Sequence, residues 1–148
     1  MIVFEVRGIP KTKGSVSSVP YKKKKTGTWG VRSFNSCKTE KDWARLVELE
    51  AKKHAPDRPI SGPVCLQVEF RLPPPKKWKG GLYHIKRPDK DKLTRSLKDA
   101  LKKGGIYKDD SQVCLTMERK IYHAQTGVTV RVWDMSGKYP DVFVDVWG

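Results

Sequence analysis

Ile2, Phe4 and Val6 alternate with Val3, Glu5 and Arg7, and Gly8-Ile9-Pro10 closes the run, which is the pattern of a short half-buried strand. Thr39 with Asp42 three residues on has the form of a capping box. Trp43, Leu46, Val47 and Ala51 then recur at helical spacing, predicting a helix from about Glu40 to His54 that Pro56, Pro59 and Pro63 close off. Val64, Leu66, Val68, Phe70 and Leu72 alternate strictly with Cys65, Gln67, Glu69 and Arg71, the clearest strand of the chain, and Pro73-Pro74-Pro75 stops it. Leu93, Leu97, Ala100 and Leu101 form an apolar stripe, so a second helix is expected from about Lys90 to Lys103, ended by Gly104-Gly105. Val113, Leu115 and Met117, then Val128, Val130 and Val132 around Gln125-Thr126-Gly127, predict a hairpin of two antiparallel strands, and Val142, Val144 and Val146 a final short strand. The layout is that of a single α+β domain with a mixed β-sheet and helices packed on one face.

Charge changes the picture more than length does. The 148 residues suffice for one ordinary domain, but 31 Lys and Arg against 16 Asp and Glu leave a net charge of +15, which makes a nucleic acid the expected partner class. No acidic residue lies between Glu5 and Glu40, where Lys11, Lys13, Lys22, Lys23, Lys24, Lys25 and Arg32 are interleaved with Tyr21, Trp29 and Phe34. This stretch, about residues 10–38, reads as a basic loop with a ribbon at Thr28 to Phe34. Its bland alternative is a solvated lysine run. A second basic loop, Lys76 to Lys86, carries Trp78 and Tyr83. No apolar run approaches the roughly 18 residues of a membrane span, and the first residues lack the order of a signal peptide, so a cytoplasmic protein is expected. Cys37, Cys65 and Cys114 are too scattered for a disulfide framework or a zinc site, and His54, His84 and His123 are equally dispersed.

Within this basic chain, Arg87-Pro88-Asp89-Lys90-Asp91 and Tyr107-Lys108-Asp109-Asp110-Ser111 gather four carboxylates. Acids in a polyanion-binding protein point to a hard cation held against phosphate, the pairing that phosphodiester cleavage needs. In a continuous helix Asp89 and Asp91 would point about 200° apart. Pro88 favours an extended Arg87 and a helix start near Lys90, and in an extended segment both carboxylates share a side and can face one ion. Asp91, Arg95, Lys98 and Lys102 fall opposite the leucine stripe, toward solvent or substrate. Gly104-Gly105 turns the chain back so that Asp109-Asp110 can supply a third ligand. Such oxygen ligands suit Mg²⁺ or Mn²⁺ and offer nothing soft for zinc. Each acid also has an ordinary role at a helix start or a turn, and a non-catalytic DNA- or RNA-binding module would use the basic surface alone.

Arg87-Pro88-Asp89-Lys90-Asp91-Lys92-Leu93-Thr94-Arg95, then Asp99-Ala100-Leu101 and Tyr107-Lys108-Asp109-Asp110-Ser111-Gln112-Val113, resemble the core of the RusA family of Holliday junction resolvases. That family's pattern runs [KR]-P-D-x-D-N-L-x-K, then D-A-L, then an aromatic, one residue and D-D-x-Q-[VI]. Weaker similarity covers the opening strand and Pro10-Lys11-Thr12-Lys13-Gly14. The resemblance implies a RusA-like fold and a homodimeric, Mg²⁺-dependent crossover junction endodeoxyribonuclease that nicks four-way junctions symmetrically in recombination and repair. Mn²⁺ is expected to substitute for Mg²⁺, and no organic cofactor is implied. Asp89, Asp91 and Asp110 take the places of the essential metal-binding carboxylates. Asp109 beside them is either an orienting group or a general base, and Asp99 is structural or supporting. Lys92 stands where the family usually has Asn, and Arg95 where it usually has Lys. Arg95 keeps a charge able to clamp phosphate, but a guanidinium cannot act as a proton donor or acceptor. Lys11, Lys13, Lys22, Lys23, Lys24, Lys25, Arg32, Arg87, Lys92 and Lys98 are the expected DNA contacts, and the extension at about residues 134–148 bears on which branched DNA is bound. A flap or fork nuclease on the same fold is the remaining alternative. Small resolvases of this kind are often carried by phages.

Overall fold

The computed structural model describes residues 1–12, 16–35 and 40–137. Its main sheet has four strands in the order β1-β6-β4-β5, where β1 is Ile2–Arg7, β4 Val64–Leu72, β5 Val113–Tyr122 and β6 Gly127–Asp134. Helices α1 (Glu40–His54) and α2 (Lys90–Lys103) have the expected bounds. Trp43, Val47 and Ala51 of α1 and Leu93, Leu97, Ala100 and Leu101 of α2 bury against Phe4, Val6, the even-numbered residues of β4 and Val128, Val130 and Val132, forming the principal core. The expected Val142–Val146 strand, the Thr39 cap, Cys37, Lys13 and the extension beyond residue 137 lie outside the described residues.

Three expectations change. The basic stretch holds two strands rather than a loop with one ribbon segment: β2 (Val16–Lys22) pairs antiparallel with β3 (Trp29–Asn35) in a separate two-stranded sheet. Ser17, Ser18 and Pro20 break the alternation of β2, so its pattern reads as loop. Its turn is closed by Lys23 N–H donating to Thr28 O at 2.7 Å and Gly27 N–H to Lys23 O at 2.8 Å, with Gly27 at φ +66.

The β5–β6 hairpin does not form. β4 lies between the two strands, parallel to β5 and antiparallel to β6. The parallel pairing is possible because α2 makes the crossover from β4 to β5. The short link from β5 to β6 then passes over the end of β4, where His123 N–H donates to Leu72 O at 2.9 Å and Arg71 Nε to Gln125 O at 3.2 Å. Arg71 also pairs with Glu5 at 2.9 Å and bonds Thr129 Oγ1 at 2.5 Å, so one nearly buried guanidinium ties β1, β4 and β6 to this link.

The Val113, Leu115, Met117 run is split between the two faces. The register with β4 shifts between Val64 and Cys65, so Val113 pairs with Val64 but Leu115, not Cys114, pairs with Cys65. An extra residue reverses which side chains point inward. Val113 packs on the principal core, whereas Leu115 and Met117 join Cys65, Trp133 and Met135 on the opposite face, and Cys114 is exposed. The same reversal turns Thr116, Glu118 and Lys120 toward α2, placing polar side chains under the start of that helix.

Candidate active site

α2 begins where the sequence puts it. The Arg87–Pro88 peptide is cis, and Asp89 is extended (φ −70, ψ 140) as the residue before the helix. The Asp89 carboxylate makes no capping hydrogen bond, while its carbonyl accepts from Leu93 N–H at 3.1 Å. Lys120 Nζ, on β5, donates to Lys86 O at 2.6 Å and Pro88 O at 2.9 Å, fixing the approach to the helix. Burial lowers the Lys120 pKa, and the charge of Asp89 opposes that shift.

One residue into the helix, Asp91 faces outward with its side chain 85% exposed. Lys90 Nζ donates to Asp91 Oδ1 at 3.1 Å and also to Glu118 Oε1 on β5. Thr94 Oγ1 donates to the other Glu118 oxygen. The Lys90 hydrogen bond holds Asp91 below the usual carboxylate range, and the Glu118 bond raises Lys90. Asp91, Thr94, Arg95 and Lys98 of α2 and Thr116 and Glu118 of β5 line a groove of about 250 Å³.

Asp109 and Asp110 lie at the other end of α2. Asp109 precedes a short 3-10 turn, Asp110–Gln112, and both of its oxygens are engaged: Oδ1 by Asp110 N–H at 3.0 Å and Lys102 Nζ at 3.4 Å, Oδ2 by Ser111 Oγ at 2.7 Å. Gln112 locks this turn, its Oε1 accepting from the Lys108 and Asp109 amides and its Nε2 donating to Ile60 O and Gly62 O. Asp110 Oδ1 is buried with no hydrogen-bond partner among the described residues. Burial raises its pKa, with Lys102 and Lys98 opposing and Asp99 and Asp109 adding to the shift. Lys98 thus lines the groove and also lies within electrostatic reach of Asp110.

The sequence leads one to expect Asp89, Asp91 and Asp110 to face one ion. Among the described residues no group of three or more His, Cys, Asp or Glu side chains is gathered closely enough to hold a metal ion. Asp89 lies toward Lys120 and Asp91 toward Lys90, while Asp110 is within electrostatic reach of Lys102 and Lys98. The donor set is nonetheless entirely carboxylate oxygen, and the unpartnered Asp110 Oδ1 is an acceptor that a hard cation would satisfy.

Of the expected DNA contacts, Lys22, Lys23, Lys24 and Lys25 are exposed at the β2–β3 turn, Arg87 and Lys92 are exposed, Lys98 is half-buried in the groove, and Lys11 is half-buried after β1. Arg32 lies on β3. Asp99 pairs with Lys103 at 3.0 Å. Glu118, Lys90, Thr94 and Thr116 are site residues that sequence reasoning missed. The polar alternation Thr116, Glu118, Lys120 was visible, but only the register shift near Cys114 places it under α2.

The family model described as Endodeoxyribonuclease RusA matches residues 15–133. A Bacillus subtilis (strain 168) protein, described as uncharacterized protein YqaN, is 35% identical over 107 residues, covering 65% of this chain and 75% of that protein.

Proposed function

Since this chain belongs to the RusA endodeoxyribonuclease family, we propose that it is a homodimeric, metal-dependent endonuclease that resolves Holliday junctions or related branched DNA by paired symmetric nicks. What supports this reading is the α2–β5 groove, which sets Asp91 and Glu118 beside Arg95 and Lys98 in a chain of net charge +15. Two symmetric cuts on a two-fold substrate are most simply made by a two-fold protein. No helix among the described residues is long and apolar enough to cross a membrane, in keeping with the proposed DNA substrate.

Asp89, Asp91 and Asp110 are the residues that would hold Mg²⁺, or Mn²⁺ in its place, and the ion when bound supplies an acidified water and charge cover for the phosphate. The chain's own groups do the rest. Arg95, four residues beyond Asp91 on the same helix face, clamps the phosphate and stabilises the added negative charge of the phosphorane-like transition state, with Lys98 behind it. Glu118, through Lys90 and Thr94, holds the first turn of α2 against β5 and so orients Asp91. Asp109 has both oxygens bonded within its own turn and toward Lys102, which favours orientation of Asp110 over proton abstraction. Exposed Lys22 to Lys25 and Arg87 would hold the DNA arms.

The test is cleavage of a labelled synthetic four-way junction in Mg²⁺ by wild type and by Asp91→Asn, with linear duplex alongside. Paired nicks on the junction that vanish in Asp91→Asn, with binding retained, are expected. One observation favours a non-catalytic binding module, namely that Lys90 already satisfies Asp91 and Glu118. Junction binding that survives EDTA, with no cutting by wild type in Mg²⁺ or Mn²⁺, would establish that reading instead. Flap and fork substrates in the same panel separate the remaining nuclease alternative.

A further inference from the structure

The segment between β4 and α2 exposes large apolar side chains on a fixed support. Trp78 is 46% exposed, Leu82 50%, Tyr83 59% and Ile85 84%. Yet the segment is well bonded: Trp78 N–H donates to Pro75 O at 3.1 Å and Trp78 Nε1 to Gly81 O at 3.0 Å. Residues 82–84 run along the outer edge of β5, with Tyr122 N–H donating to Leu82 O at 2.8 Å, His84 N–H to Lys120 O at 3.1 Å, and Tyr83 opposite Ile121 in an antiparallel bridge. His84 turns inward onto Tyr122, ring centroids 5.0 Å apart, and Trp78 packs on the same ring at 6.1 Å, so by the strand's alternation Tyr83 and Ile85 lie on the opposite side, where both are exposed.

The surroundings say what could cover such a patch. Lys76, Lys77, Lys79, Lys86 and Arg87 are exposed around it, none is in an ion pair among the described residues, and no acid occurs between Glu69 and Asp89. A second copy of this +15 chain meeting the patch face to face would bring five cations against five. A ligand that joins negative charge to flat apolar faces fits both features, and nucleic acid does so only where its bases are unstacked. The segment leads directly into Arg87-Pro88-Asp89, and Lys120 bonds it to the start of α2.

We propose that Tyr83 and Ile85 form a stacking platform that engages unpaired or unstacked bases at the branch point of the substrate, selecting branched DNA over duplex. The inference rests on the nuclease reading for its substrate, but its test does not require cleavage. Four-way junction and linear duplex binding are measured in EDTA by anisotropy, with 2-aminopurine at the branch as a reporter, for wild type, Tyr83→Ala/Ile85→Ala and Tyr83→Phe. Junction affinity is expected to fall at least about fivefold in the double variant, the loss of one stacked base, with duplex affinity unchanged, the fluorescence change lost, and Tyr83→Phe like wild type. Equal losses on both DNAs, no loss on either, or a wild type that binds junction no better than duplex would overturn it. So would a change of mass by light scattering that accounts for the weaker binding, since the patch would then be a contact between copies. Circular dichroism checks the fold, which both exposed positions are expected to leave intact. A wild type that shows the junction-specific signal but never cuts would sink the nuclease reading and leave the platform standing.

Discussion

Lys90 and Glu118 form an ion pair that fastens the first turn of α2 to the middle of β5. The Glu118 side chain is only 13% exposed, and its second oxygen is taken by Thr94. Because Lys90 also reaches Asp91, the position of the outward carboxylate depends on a residue of another strand. Glu118→Gln should keep a partner for Thr94 while weakening the hold on Lys90, at a cost of about 1–2 kcal/mol. Urea denaturation measures that cost. Single-turnover cleavage of the junction should slow with binding unchanged, and a variant that loses stability yet cuts at the wild-type rate would reduce Glu118 to a structural pair.

Asp110 should make the metal-free protein less stable as pH rises. Burial raises its folded pKa above the ordinary value of about 3.9, so the folded chain binds the proton more tightly than the unfolded one, and stability is lost as pH climbs through the folded pKa. Asp110→Asn has no such loss. In EDTA it should melt above wild type at pH 7, and the difference should close below about pH 4. Mg²⁺ should then raise the melting temperature of wild type and not of the variant. A variant less stable than wild type at pH 7 would mean that the buried oxygen has a favourable partner in solution.

The two helices and the central strand were legible because Leu93, Leu97, Ala100 and Leu101, and the Val64 to Leu72 alternation, each serve one face from end to end. Strand pairing was less so. The four-residue link His123–Thr126 has the form of a hairpin connection, and nothing local reveals that it crosses over Leu72. Cys114 likewise carries no bulge signal, yet the shift beside it decides that Glu118 rather than Met117 faces α2. Spacing and the family pattern single out Asp91 and Asp110, but where each lies against α2 is a tertiary fact that spacing does not contain.

Gly104 sets how closely α2 and α1 approach. At φ −75 it needs no special conformation, but an added Cβ would lie 2.5 Å from Ala51 Cβ and 3.1 Å from Glu48 O. Gly104→Ala should therefore destabilise by about 1–3 kcal/mol through overpacking. Ala51→Gly should recover part of that loss in the double variant, so a thermodynamic cycle that came out additive would dismiss the clash.

Four exposed lysines on the β2–β3 turn, Lys22 to Lys25, should act through phosphate charge alone. Replacing all four with Ala should weaken junction and duplex binding alike and flatten the dependence of log K on log salt by up to about 3–4. An unchanged slope, measured by titration across salt, would remove this turn from the interface.

Arg95 tests what the groove asks of its cation. It lines the groove with Asp91, where the family pattern usually has lysine, so the shared property is positive charge and not a proton to exchange. If charge stabilisation is its role, Arg95→Lys should cut the junction within about tenfold of wild type, while Arg95→Ala should lose roughly 10² to 10³ in rate, the scale of one transition-state donor. The wild-type pH–rate profile should show no alkaline limb assignable to this residue, because guanidinium stays charged throughout the measurable range. A rate for Arg95→Ala close to wild type would move the phosphate clamp to Lys98 or Lys92. Rapid cutting by Arg95→Lys with a new alkaline limb would show that this position can also serve proton transfer, and that the arginine here has given up that second role.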